Sequence, residues 1–353
     1  MGKRVLFFLN NLNRTGSETL LFNFIQELHK TQKISIGIVL MEKGGELVPE
    51  IPSTIPVFYL DFHFKWLDKI AFHLGKDIIG QQLEKIQKQF KADSWYLNTL
   101  AHLGLLRYKK QFSIHTYVHI HELLYNFESL KADEFDLLKN ECDHLIACSG
   151  LVEDLFKPYF KNKITIINST VNQKELVDVV NRNKSNPSKG KLKIVSSGTI
   201  CYRKGTDLFL EVAQLLSKET YEFIWLGKFA NNAYSEIIKL KNAQTNSVQF
   251  LQTNTQKEYL EILAQADLFL STSREESMGL VMQEAVTFHI PIVALNSGGA
   301  SLIVNSQNGV ICYDHRPEEI VKAIEKIKLE KKGQSILPFQ YQQEIEKFVS
   351  LFN

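Results

Sequence analysis

Short apolar runs that each give way to helical periodicity set the tightest limit on how this chain can fold. Residues 5–9 read Val-Leu-Phe-Phe-Leu with no polar residue between them. A strand wet on one face alternates apolar and polar residues, whereas an unbroken run suits a strand buried on both faces of a parallel sheet. A polar loop follows over 10–17, and apolar residues then recur at helical spacing over 18–28, with Ser17 placed as the N-cap. Further strand signals lie at 34–41, 57–60, 94–97, 116–119 and 144–147, with helices between the later ones. Such alternation predicts a doubly wound parallel sheet.

The pattern restarts after 181–190, Asn-Arg-Asn-Lys-Ser-Asn-Pro-Ser-Lys-Gly. Strands are expected at 193–196, 222–226, 248–251, 267–271, 291–294 and 309–312, and helices at 205–216, 233–240, 256–264, 279–288 and 317–329. At 353 residues the chain is long enough for two α/β domains. They are placed at 1–170 and 191–336, with 171–190 as linker. Residues 337–353 are read as a terminal helix whose Phe339, Tyr341, Ile345, Phe348, Val349 and Phe352 form an apolar face that must dock, and the first domain is the expected place.

Composition removes several functional classes. Forty-one basic against 39 acidic residues leave a formal charge of +2, too little for a protein whose main partner is nucleic acid. Cys142, Cys148, Cys201 and Cys312 form neither a Cys-x-x-Cys pair nor a zinc spacing, and read as small buried hydrophobes in a reducing compartment. The N-terminal Lys3-Arg4 and five apolar residues look superficially like a signal peptide, but the run stops at Asn10-Asn11 without a small-residue cleavage site. No run approaches the ~20 apolar residues of a membrane span. A cytoplasmic protein is expected. Peripheral contact with the inner membrane face is left open by the aromatic- and lysine-rich stretch 62–90, read as two amphipathic helices broken near Gly75 or Gly80. Core plus a solvated face is the more ordinary reading of that stretch.

Chemistry concentrates at 271–285, Ser-Thr-Ser-Arg-Glu-Glu-Ser-Met-Gly-Leu-Val-Met-Gln-Glu-Ala. A strand ends, a polar loop follows, and a helix begins near Gly279, so backbone N–H groups there can meet an anion. Glu276 in the loop and Glu284 in the helix offer acceptors for vicinal hydroxyls. Glu276 and Glu284, with Ser271, Ser273, Gly279 and Leu280 around them, resemble the signature of the retaining family 4 glycosyltransferases (glycosyl transferases group 1). Gly198 to Gly205 with its Arg203-Lys204, the strand 222–227, Ala266-Asp267-Leu268-Phe269, Ser297-Gly298-Gly299 and Asn308-Gly309 resemble further elements in the family's order. The similarity is specific over about 193–327 and weaker before it.

The resemblance implies the GT-B fold: two Rossmann-like domains facing a central cleft, with the nucleotide-sugar donor held by the second. By the same resemblance, Arg203 and Lys204 would meet the donor diphosphate, Gly198 would admit it to the backbone, Glu284 would bind the ribose and Glu276 the sugar hydroxyls. Ser273 lies within the donor site, and Met278, Gly279 and Leu280 would offer N–H groups. Gly16, Ser17 and Glu18 occupy the first strand–helix turn as an acceptor or phosphate loop, with Thr15 where relatives often carry glycine. His119, or second His121, stands where the family often places a histidine facing the sugar; structural hydrogen bonding by both is the plain alternative. A metal site from His119, His121 and Glu122 is weakly supported, because a distant third ligand is lacking. Thr199 and Ser301-Leu302 depart from the family pattern, and Arg203 is a candidate to replace the missing arginine at 199.

The expected reaction is metal-independent transfer of a hexose-type sugar, with retention, from a UDP- or GDP-linked donor to a hydroxyl acceptor, glycan or lipid-linked, in surface polysaccharide or glycoconjugate synthesis. No cofactor is expected beyond that nucleotide-sugar substrate. An epimerase or phosphorylase on the same fold, and a non-catalytic sugar-binding subunit, are the alternatives.

Overall fold

Strand β1 (Arg4–Leu9) has Val5, Phe7, Phe8 and Leu9 entirely removed from solvent, the burial that an unbroken apolar run requires. In the computed structural model, which describes residues 2–61, 77–181, 190–327 and 337–353, this strand is central to a seven-stranded parallel sheet. Its companions are β2 (Ser35–Leu40), β3 (Val57–Tyr59), β4 (Ser94–Asn98), β5 (His115–Ile120), β6 (His144–Ala147) and β7 (Lys163–Ile166), in the order β3-β2-β1-β4-β5-β6-β7. Register runs Val5 to Ile36 on one side and Val5 to Ser94 on the other. β7 is the strand that the apolar-run criterion passes over: Lys163-Ile-Thr-Ile alternates, as a half-exposed edge strand should.

The chain divides into two units, Met1–Ser169 with Gln342–Asn353, and Thr170–Tyr341. In the first, α1 (Gly16–Lys30) and α2 (Ile78–Phe90) are joined by α3 (Lys109–Phe112), α4 (Ala132–Glu141) and α5 (Gly150–Phe156). Helix α1 starts before Ser17. Thr15 holds the N-cap position, and Glu18 in the first turn reaches back to the loop that precedes it. Gly80 does not break a helix either: it lies in the first turn of α2, where its N–H donates to the Asp77 cap at 2.9 Å. The rest of the 62–90 stretch, residues 62–76 with Gly75, lies outside the described residues.

The second unit repeats the plan with six parallel strands, β8 (Leu192–Ser197), β9 (Tyr221–Leu226), β10 (Val248–Leu251), β11 (Leu268–Ser271), β12 (Ile292–Leu295) and β13 (Gly309–Cys312), ordered β10-β9-β8-β11-β12-β13. Its helices are α6 (Gln173–Asn181), α7 (Thr206–Leu215), α8 (Ala233–Thr245), α9 (Gln256–Leu263), α10 (Leu280–Thr287), α11 (Ala300–Ile303) and α12 (Pro317–Lys326). Part of the segment expected as linker is therefore helix α6, which buries Leu176; residues 182–189 lie outside the described residues.

The terminal helix α13 (Tyr341–Ser350) belongs with the first unit. Phe348 stacks against Phe7, Phe24 and Tyr96 at 5.0–6.2 Å between centroids. Glu344, almost fully buried, accepts from the Asn168 backbone at 2.8 Å and from its amide at 3.1 Å. Phe339 instead packs into the second unit's core. Among the described residues no helix is long and apolar enough to cross a membrane.

Candidate functional site

In the second sheet, β8 leads outward to β9 and β10, while its neighbour β11 leads the other way to β12 and β13. Connections that diverge from adjacent parallel strands open a crevice at their carboxyl ends. The loops 198–205 and 272–279 meet there. Lys204 Nζ is bonded to Glu276 Oε2, and both side chains are about 15% exposed, at 15% and 14%. Burial would raise the Glu276 carboxyl, but the charges of Lys204 and Arg203, with hydrogen bonds from Lys204 and Ser273, hold it below the usual carboxylate range. Arg203 also donates to the Glu275 carbonyl at 3.1 Å.

The backbone around Glu276 is fixed from a third loop. Its N–H donates to the Ser297 carbonyl at 2.7 Å, and its carbonyl accepts from Gly299 N–H at 2.6 Å. Gly198 has φ +141°, and a Cβ there would stand 3.2 Å from Lys204 Cε, so the lysine stem lies over a bare backbone. Gly279, at φ +74°, opens helix α10; Met282 and Gln283 are the first residues to bond within that turn, both to the Gly279 carbonyl. The N–H groups of Gly279 and Leu280 therefore point out of the helix start. Met278 contributes backbone only, since its side chain is buried in the core.

Glu284 lies in the body of α10 and accepts from the Tyr259 hydroxyl at 2.6 Å. Burial pushes its carboxyl up to about 7 in spite of that bond. Arg274 lies in the 271–285 motif, but its partners carry no sequence signal. Arg274 grips Asp207 with two bonds of 2.8 and 2.7 Å, donates to the Tyr202 carbonyl, and lies 3.8 Å over the Tyr202 ring. Asp207 also accepts from Tyr234 at 2.9 Å. An arginine beside Glu275-Glu276 was in view in the motif; its partner was not.

In the first unit, the strand-end cluster differs from expectation in a specific way. His119 is fully buried inside β5, not at its end; Nδ1 bonds the Tyr96 hydroxyl at 2.8 Å and Nε2 has no hydrogen-bond partner. Burial, with neighbouring His121, holds its pKa well below the ordinary value. His121 stands just past the strand, its ring 3.9 Å from that of His119, and Nε2 meets Asn98 Oδ1 at 2.9 Å. Gly16 is exposed at the start of α1 and Ser17 half-buried. Glu18 is buried and turned inward, accepting from Asn10 N–H at 3.1 Å and Leu12 N–H at 2.9 Å, and burial raises its pKa against those bonds. His102, unforeseen, bonds Asn10 at 3.2 Å. No group of three or more His, Cys, Asp or Glu among the described residues could hold a metal ion.

Comparison with known proteins adds to this geometry. Residues 179–338 match the family described as glycosyl transferases group 1. An uncharacterized glycosyltransferase of Haemophilus influenzae is 24% identical, over 92% of this chain and 90% of its own length. A phosphatidylinositol N-acetylglucosaminyltransferase subunit of Saccharomyces cerevisiae is 22% identical over 70% of this chain and 56% of its own. Among solved structures, Anabaena HepE in complex with UDP-glucose superposes with TM-score 0.76 at 16% identity, covering 99% of this chain and 98% of that one. The sucrose-phosphate synthase of Thermosynechococcus elongatus gives 0.73 at 16%, covering 99% and 95%. The two parallel-sheet Rossmann-like units thus have the GT-B fold.

Proposed function

We propose that this chain, whose residues 179–338 match the glycosyl transferases group 1 family, transfers a hexose-type sugar from a nucleotide-diphosphate donor to a hydroxyl acceptor, with retention at the anomeric carbon. The observation that carries this reading is the Lys204–Glu276 pair at the β8/β11 crevice, beside the helix start at Gly279. The donor diphosphate lies against Arg203, Lys204 and the N–H groups of Gly279 and Leu280, a concentration of positive charge and dipole suited to a departing anion. Gly198 lets the phosphates approach the backbone. Glu276, kept ionised by its two cations, can only accept hydrogen bonds, which suits donating sugar hydroxyls. Glu284 takes the ribose hydroxyls.

In the transfer, the bond from the anomeric carbon to the diphosphate oxygen breaks and a bond to the acceptor oxygen forms. The acceptor's proton leaves with the diphosphate. This chemistry asks nothing of the protein beyond placement and charge stabilisation, and we assign it no metal. UDP is the first base to test, because UDP-glucose occupies the HepE structure. A lipid-linked acceptor is the first acceptor class to test, because the yeast relative is named for transfer to phosphatidylinositol. Surface polysaccharide or glycoconjugate synthesis is the setting we assign. In the first unit, His121 takes the place expected of His119, because it alone of the two is clear of the sheet interior.

Thermal shift and calorimetry with UDP, GDP, ADP and their sugar conjugates test this reading on wild type and Glu284→Ala. One nucleotide should stabilise the wild type and not the variant, and NMR of the product should show the donor's anomeric configuration kept. A folded protein that binds none of them would overturn the donor site. Donor binding without turnover would move the reading to a sugar-binding subunit, and a changed donor without acceptor to an epimerase.

A further inference from the structure

The carbonyls of the short turn Tyr202–Lys204, which follows β8, are all taken up by the loop that follows β11. Arg274 Nη1 donates to the Tyr202 carbonyl at 2.7 Å. The Arg274 backbone N–H donates to the Arg203 carbonyl at 2.8 Å. Thr272 Oγ1 donates to the Lys204 carbonyl at 3.2 Å. Arg203 reaches back across the same gap to the Glu275 carbonyl at 3.1 Å. The two backbones come this close because Gly205, at φ +67°, has no side chain: a Cβ there would stand 1.9 Å from the Thr272 carbonyl oxygen. Arg274 ties turn, loop and helix together. Its guanidinium bonds both oxygens of Asp207, in the first turn of α7, at 2.8 and 2.7 Å, and lies 3.8 Å from the centre of the Tyr202 ring. Carboxylate on its edge and ring on its face fix the plane of the guanidinium. Tyr234 of α8 braces Asp207 in turn, accepting from its N–H at 3.1 Å and donating to Oδ1 at 2.9 Å.

We propose that Arg274 is a positioning residue: braced by Asp207 and Tyr234, it fixes the Tyr202–Lys204 turn so that Arg203 and Lys204 are presented together to the diphosphate of a nucleotide sugar. The inference deepens the transferase reading and rests on it for the identity of that ligand. Two neighbouring cations repel, and holding two long side chains in one place costs conformational entropy. A loose turn would let them spread, and binding would then have to gather them. A turn clasped in the folded protein lowers that cost of association. Lys204 is ordered further by its bond to Glu276 and by its stem lying over Gly198. The charge of Arg274 is itself committed. Burial would raise the Asp207 carboxyl, but the bonds and charge of Arg274 hold it below the usual carboxylate range. Arg274 thus acts through the turn and not on the ligand.

Two measurements on the full chain test it, in wild type, Arg274→Lys and Tyr234→Phe. Hydrogen exchange read by mass spectrometry should show residues 202–206 and 272–276 losing protection in Arg274→Lys, while β8 and β11 keep theirs. Calorimetry compares UDP with UMP, or whichever diphosphate and monophosphate pair the wild type binds. Arg274→Lys should weaken the diphosphate roughly tenfold, the scale of one hydrogen bond, and the monophosphate by less than about threefold. Tyr234→Phe keeps the arginine–aspartate fork and should show the same pattern at smaller amplitude, so it decides the matter if Arg274→Lys does not fold. Unchanged exchange in the two segments overturns the proposal. So does unchanged diphosphate affinity, or an equal loss for diphosphate and monophosphate, which a general loosening of the unit would give. If the wild type binds no nucleotide at all, the donor reading of the site falls, while the exchange data still decide whether Arg274 holds the turn.

Discussion

The Tyr259 hydroxyl donates to Glu284 Oε2 at 2.6 Å, yet burial still leaves that carboxyl with a pKa of about 7. Ribose hydroxyls are donors and bind the ionised form better. Donor affinity should therefore rise as pH climbs through about 7, by about tenfold between pH 6 and 8 if only the carboxylate binds. A nucleotide sugar is the ligand to use, because its diphosphate diester does not titrate in this window. Calorimetry at the two pH values checks it, and Glu284→Gln should flatten the slope. The free protein should respond with the opposite sign: the raised pKa contributes stability below the ordinary carboxyl value of 4.5 that is lost as pH rises through about 7. Affinity equal at pH 6 and 8 would remove Glu284 from the ribose site.

Tyr259 lowers the Glu284 pKa by stabilising the anion. In Tyr259→Phe the midpoint of the affinity–pH curve should move upward, and donor binding at pH 7 should weaken by a fewfold. A midpoint that stays put would mean that the hydroxyl has no electrostatic hold on the carboxylate.

How much of this was legible in the sequence depends on whether the signal was local. Unbroken apolar runs marked β1 and β12, because burial on both faces leaves no room for a polar residue. The Glu276–Glu284 spacing was legible as well, since both lie in one loop–helix unit. Arg274 and Asp207, 67 residues apart, were not: they meet only because the sheet order puts β8 beside β11. Residues 116–119 were read as a complete strand ending at His119, but β5 runs on to Ile120. That one residue moves His119 into the sheet interior and leaves His121 at the rim. Helix α6 hid in a segment whose polar neighbours 181–190 suggested a linker, although Leu176 is buried within it.

The Arg274–Asp207 fork is only about one-fifth exposed at each partner, 21% and 20%. Removing one side strands the other charge, so Asp207→Ala should cost about 1–3 kcal/mol in urea unfolding. Arg274→Lys should recover little of it, because an ammonium can neither bond Asp207 twice nor stack flat on Tyr202. Full stability in Arg274→Lys would show that charge alone matters there.

Phe348 is fully buried among Phe7, Phe24 and Tyr96, so Phe348→Ala should destabilise the first unit by roughly 3–5 kcal/mol. Hydrogen exchange should locate the loss in β1, α1 and α13 and spare β8 to β13. Uniform loss of protection across both units would instead mean that they unfold as one body.

Lys204 and Glu276 define the last and most demanding test, because the same bond is proposed to serve folding and catalysis. Each side chain is largely withdrawn from water, and each is the other's main counter-charge. Lys204→Ala leaves an unpaired carboxylate, and Glu276→Ala an unpaired ammonium, so each should cost about 2–4 kcal/mol. The double variant leaves neither charge stranded, and should be about as stable as either single variant rather than showing the sum. Turnover should behave differently. Lys204 stabilises the leaving diphosphate and Glu276 orients the sugar, so either substitution should lower kcat by roughly a hundredfold or more, and restoring charge balance in the double variant should recover none of it. Additive stability losses would show that the pair is not coupled in the folded protein. Recovery of turnover in the double variant would show that the two residues serve the fold of the loop alone.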